Sequence, residues 1–161
     1  MKVSGVVQGV GFRPAVKRAA LRSSSSGFVR NDGSHVTIGI DEDPDVLIEA
    51  LKEELGPIAR IERIERRRGT WEEFGIERPE GFDILPSTQG ERDSSLPCDT
   101  AVCERCLHEM LDPSNRRFLH PFTNCTDCGA RYTLIRSLPY DRERTTMEGF
   151  QLCGDCSSEY S

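Results

Sequence analysis

Ser4-Gly5-Val6-Val7-Gln8-Gly9-Val10-Gly11-Phe12-Arg13-Pro14 is the stretch on which the reading of the fold turns. An apolar, strand-like run (Val3, Val6, Val7) enters a glycine-spaced turn, an arginine follows, and Pro14 stands where a helix can begin. Gly9 and Gly11 let the backbone bend so that consecutive N–H groups face inward, and a helix N-terminus behind them favours an anion. Arg13 adds a fixed charge whose planar fork matches phosphate oxygens. Taken alone, the string reads equally well as a glycine-rich turn followed by a surface arginine.

Working outward, residues 2–7 form a first strand and Pro14 to Arg22 a helix with Ala15, Val16, Ala19 and Ala20 along one side. The run Ser23-Ser24-Ser25-Ser26-Gly27 ends that helix, because serine competes for backbone hydrogen bonds and glycine suits a C-terminal cap. Asn31-Asp32-Gly33 lies between two β-rich runs, Phe28-Val29 and His35 to Ile40, and predicts a hairpin. On that reading Asn31 is a turn residue, which does not prevent its amide from pointing into a neighbouring loop. Asp43 and Pro44 open a second helix whose Val46, Leu47, Ala50, Leu51 and Leu55 recur at helical spacing. Ala59 to Arg67 and Phe82 to Leu85 are the remaining strands. The order is β-α-β-β-α-β with a final short strand, an α+β, ferredoxin-like sheet.

The 161 residues suffice for one small domain with its own core plus a smaller unit that needs metal or disulfides. Six of the seven cysteines fall in CxxC pairs: Cys103 and Cys106, Cys125 and Cys128 after 18 residues, Cys153 and Cys156 after a further 24. No secretory-type stretch is evident and the longest apolar runs are far too short to span a bilayer. Metal ligation in a reducing cytoplasm is therefore expected over a disulfide framework. The first two pairs predict a tetrahedral zinc site, with the metal supplying most of the folding energy of that half.

The expected division is a first domain over 1–86, a linker over 87–97 where composition turns to Ser, Thr, Gln, Gly, Glu and Asp, and a zinc-finger region over 98–161 with one complete four-cysteine site and one half site. The seventh thiol, Cys98, is either free, an alternative ligand, or a partner for Cys153 and Cys156. His35, His108 and His120 stand at positions more typical of surface or supporting residues than of ligands or bases. Net charge is −6, with 14 Lys+Arg against 17 Asp+Glu before residue 98 and 7 against 10 after it. Neither half has the basic excess that nucleic-acid binding requires.

The string Gly5 to Pro14 closely resembles the active-site loop of acylphosphatases. It is most similar to the domain that opens the HypF family of hydrogenase-maturation carbamoyltransferases. Gly27-Phe28-Val29-Arg30-Asn31-Asp32-Gly33 resembles that family's second element. The cysteine spacing resembles its zinc-finger region, as do Asp112-Pro113-Ser114-Asn115-Arg116-Arg117-Phe118, His120 to Cys125, Tyr132 to Ile135 and Leu138-Pro139-Tyr140-Asp141-Arg142. The resemblance implies an acylphosphatase fold, a phosphate held by the loop at Gln8, Gly9, Val10, Gly11 and Phe12 with Arg13, and an attacking water oriented by Asn31. It further implies zinc at the CxxC pairs, carbamoyl phosphate as the acyl phosphate, and a HypE-like maturation partner.

In the family the finger has a fourth CxxC pair, and adenylate-forming and carbamoyl-transferring domains follow it. None of these is in the sequence, nor is a Walker-type string. The expected function is thus acyl phosphate hydrolysis, the first step of carbamoyl transfer. The alternative is a zinc-binding scaffold or interaction module without turnover. The linker composition predicts two halves that do not depend on each other.

Overall fold

A computed structural model describes residues 1–88 and 99–160; the greater part of the expected linker, and Cys98, lie outside the described residues. The N-terminal half is a five-stranded sheet: β1 (Lys2–Val6), β2 (Gly27–Asp32), β3 (His35–Ile40), β4 (Arg60–Glu65) and β5 (Phe82–Ile84), in the spatial order β4-β1-β3-β2-β5. All neighbours are antiparallel except β2 and β5. Two helices, α1 (Phe12–Arg22) and α2 (Pro44–Glu54), occupy the crossovers. The expected βαββαβ order is therefore present, with the fifth strand at the edge beside β2.

The core follows from the alternation of the strands. Val3, Val29, Val36 and Ile38 point to the helix side and meet Phe12, Ala15, Val16, Ala19 and Ala20 of α1 and Leu47 and Leu51 of α2. The small alanines let α1 lie close to the sheet; burying this set is the main term holding it together. Val46, at helical spacing with the α2 core residues, faces outward instead, 53% exposed. On the other side of the sheet Phe28 makes edge contacts with Trp71 and Phe74 of a short 3-10 turn, ring centroids 6.2 and 5.2 Å apart.

The hairpin is tighter than its Asn-Asp-Gly signal predicts. Strand pairing continues through Asn31 opposite Val36 and Asp32 opposite His35, leaving Gly33 and Ser34 as the turn, with Gly33 at φ 62°. Asn31 is thus a strand residue, 1% exposed. After β5 the chain stays beside β2: Thr88 donates its N–H to Asn31 O at 2.9 Å.

Among the described residues, the cysteine-rich half has little regular structure: α3 (Glu104–Leu111), α4 (Gly154–Tyr160) and two 3-10 turns at Tyr132–Leu134 and Arg142–Arg144. Among the described residues, no helix is long and apolar enough to cross a membrane.

Candidate functional site

The turn from β1 into α1 brings two positive-φ glycines within three residues, Gly9 at 71° and Gly11 at 67°. This left-handed backbone aims successive N–H groups to one side, where only glycine is unstrained. Gly11 is also the N-cap of α1, and it offers no side chain to satisfy the first-turn N–H groups; the first turn carries no acidic residue either. The contrast with α2 is direct, since there the Asp43 carboxylate accepts the Asp45 N–H at 2.9 Å. The N-terminus of α1 therefore presents donors and a positive dipole end to whatever anion enters the loop.

Arg13 and Asn31 converge at this loop. With the Asn31 amide in the orientation that satisfies both groups, its Oδ1 accepts from Arg13 Nε at 3.3 Å and Nη2 at 3.2 Å. Arg13 Nη1 donates to Ser87 Oγ at 3.2 Å. Gln8 is nearly buried, and its amide is committed to structure: Nε2 donates to Gly33 O at 2.7 Å, and Oε1 accepts from Tyr140 N at 3.3 Å. The side chains of Val10 and Phe12 are buried in the core.

The cysteine-rich half packs onto the same loop. Arg13 Nη2 pairs with Asp141 Oδ1 at 2.7 Å and lies 3.4 Å from Tyr140 O. A Cβ at Gly11 would fall 2.1 Å from Thr126 Cγ2, and one at Gly9 would meet Ala130 and the Tyr140 ring. A cavity of about 570 Å³ lies between the two halves, with Arg13 and Asn31 on one wall and Asn124, Tyr140 and Asp141 on the other. Sequence reasoning gave the Leu138 to Arg142 stretch no role in the site, and it missed Ser87 and Thr126. The acidic and aromatic residues of that Pro-Tyr-Asp-Arg run were the available signal.

The four thiols of Cys103, Cys106, Cys125 and Cys128 form one cluster, all sulfurs within 4.8 Å of one another. Observed separations are 3.6 Å for Cys103 to Cys125, 3.8 Å for Cys106 to Cys128 and 3.9 Å for Cys125 to Cys128. A tetrahedron of metal–sulfur bonds about 2.3 Å long has edges of about 3.8 Å, whereas a disulfide needs about 2.05 Å. The spacing suits a shared cation. Burial, reinforced by the other thiols, pushes Cys106 up; Cys128 is also buried, yet backbone donors and Arg131 draw it down to about 6. Arg131 Nη2 donates to Cys128 Sγ at 3.0 Å and Nη1 to Thr100 O at 3.2 Å, tying the second knuckle to the segment before the first. Cys153 and Cys156 are not drawn into the cluster; Arg116 Nη1 lies 3.8 and 3.0 Å from their sulfurs.

Comparison with known proteins agrees with this arrangement. The acylphosphatase family model matches residues 1–84, just over half of the chain, and the HypF finger model matches residues 102–135. The probable carbamoyltransferase HypF of Methanocaldococcus jannaschii is 43% identical over 148 residues, covering 89% of this chain and 19% of that protein. Carbamoyltransferase HypF2 of Cupriavidus necator is 42% identical over 158 residues, covering 95% and 19%. A crystal structure of full-length HypF in the phosphate- and nucleotide-bound form superposes with a TM-score of 0.79 at 36% identity, covering 99% of this chain and 21% of that one. The chain spans about a fifth of the length of these relatives. Loop, sheet and thiol cluster together place it: the chain belongs to the acylphosphatase family and corresponds, finger included, to the N-terminal region of HypF proteins.

Proposed function

We propose that the loop from Gln8 to Arg13 holds the phosphate group of an acyl phosphate, carbamoyl phosphate by kinship, and that the site hydrolyses it. The observation that carries this reading is the convergence of Arg13 and Asn31 beside an uncapped helix N-terminus. Backbone N–H groups at Gly9 to Phe12 and the Arg13 fork bind the phosphoryl oxygens and stabilise the charge that grows on them. The Asn31 amide orients a water in line with the acyl oxygen. The water's oxygen–phosphorus bond forms as the phosphorus–acyl oxygen bond breaks. The leaving group departs as a carboxylate or carbamate, which needs no protonation, so positioning and electrostatics suffice.

Zinc is the ion we assign to the four-thiol cluster, where four thiolates make a closed, structural site with no open position for chemistry. Reduced thiols of this kind suit a cytoplasmic setting. In a HypF-type sequence the carbamate goes on to adenylation and a HypE-like acceptor, steps for which we assign no residue of this chain. A second reading, an interaction module, draws on the exposed Leu111 (62%), Leu119 (69%) and Phe150 (63%) of the cysteine-rich half.

The test is hydrolysis of acetyl and carbamoyl phosphate by the purified chain without added metal or ATP. Arg13→Ala should lower kcat/KM by about a thousandfold, or about 4 kcal/mol. Asn31→Ala should mainly lower kcat. Near wild-type turnover in Arg13→Ala would leave the interaction module as the better reading.

A further inference from the structure

We propose that Asp141 is a positioning residue that acts through Arg13: an internal anion that a phosphoryl group must displace, and which thereby sets the affinity and selectivity of the site. The inference rests on the acyl phosphate reading above. Arg13 Nη2 carries two protons but faces three acceptors: Asp141 Oδ1 at 2.7 Å, Asn31 Oδ1 at 3.2 Å and Tyr140 O at 3.4 Å. Nη1 is directed at Ser87 Oγ. A phosphate oxygen can reach Nη2 only if one acceptor gives way.

The three acceptors differ in their freedom to do so. Asn31 is buried in β2, and Tyr140 O belongs to the main chain that braces Gln8. Asp141 is a side chain, 23% exposed, at the start of a 3-10 turn, and its own carbonyl accepts from Arg144 N at 2.9 Å. The carboxylate can therefore swing away while its backbone stays in place. It is also the charged one of the three, so an arriving dianion repels it and leaves the neutral acceptors undisturbed.

Selectivity follows from the same geometry. An external monocarboxylate offers Arg13 nothing that Asp141 does not already supply. A phosphoryl group adds bonds to the loop N–H groups between Gly9 and Phe12 and so outcompetes the internal anion. Asp141 would then keep Arg13 aimed into the cavity between turnovers and exclude carboxylates.

The experiment is calorimetric titration of the full, metal-loaded chain with inorganic phosphate and with acetate, for wild type, Asp141→Asn, Asp141→Glu and Arg13→Ala. Asp141→Asn should bind phosphate about tenfold tighter, lower the KM for acetyl phosphate in parallel, and gain measurable affinity for acetate. Asp141→Glu should behave like wild type. A gain in affinity cannot come from a damaged fold. If Arg13→Ala abolishes phosphate binding while Asp141→Asn binds no tighter than wild type, Asp141 is not a competitor and the acyl phosphate reading stands without it. If phosphate binding does not depend on Arg13 at all, both readings fall.

Discussion

The Gln8 side chain and the Tyr140 main chain are joined across 132 positions of sequence: Gln8 Oε1 accepts the Tyr140 N–H at 3.3 Å while Gln8 Nε2 donates to Gly33 O at 2.7 Å. One buried amide thus clamps the turn between β1 and α1 against the tip of the β2–β3 hairpin and the cysteine-rich half. A polar group in that position is costly to leave unpaired, so loop and finger geometry are linked.

Removing metal should therefore do more than unfold the finger. Chelation is expected to release residues 102–135, Thr126 among them, which have little apolar core of their own, and to loosen the adjoining segment that carries Tyr140. Phosphate affinity should fall about five- to tenfold, read by calorimetry before and after treatment with a chelator. An unchanged Kd would show that the loop holds its shape without the finger.

Metal content should be one tightly held ion per chain. Cys106→Ser should reduce it to near zero and Cys153→Ser should leave it unchanged, because the sulfurs of the four-thiol cluster already match a closed tetrahedron. Elemental analysis after dialysis decides the matter; two ions per chain would mean that Cys153 and Cys156 find further ligands.

Gly11→Ala should destabilise by about 2–4 kcal/mol, since it combines a positive-φ penalty with steric conflict. The conflict is specific: the added Cβ would lie 2.1 Å from Thr126 Cγ2. In a Thr126→Ser background that methyl is gone, and the cost should drop by about 1 kcal/mol. Urea unfolding of the four proteins completes the cycle; additive costs would mean that the two residues do not touch.

Asp32 lends the hairpin an acid-sensitive tie. Burial works against its ionisation, yet hydrogen bonds from Thr88 and Thr37, with the charges of Arg30 and His35, hold its carboxyl below the ordinary range. A depressed carboxylate contributes stability that is fully present above the unfolded value, about pH 4, and is lost as pH falls through the folded one. Stability measured against pH for wild type and Asp32→Asn should thus show a gap that is constant near neutrality and closes in acid. A gap that widened in acid would reverse the assignment.

Much of the architecture was legible in the chain because it rests on local rules. Helical apolar spacing located the two helices and β-rich runs the strands, although Ile58, Ile61 and Ile64 are spaced ambiguously and β4 was legible only from its β-branched content and position; the glycine and proline signals around Arg13 located the loop. The hairpin tip was misplaced by its Asn-Asp-Gly signal, because ladder pairing through Asp32 and His35 outweighed the turn preference of Asn31.

The sequence by itself determined the order of elements, the glycines that can shape an anion loop and the spacing that gathers four thiols, since each depends on residue type and short-range geometry. Only the tertiary structure decided what Arg13 meets. Its partners Asn31, Ser87 and Asp141 come from three separate segments, the last of them 128 residues away. A linker's composition carries no information on where the chain beyond it docks, because docking depends on the shape and charge of two folded surfaces. Those surfaces exist only after the sheet and the thiol cluster have formed.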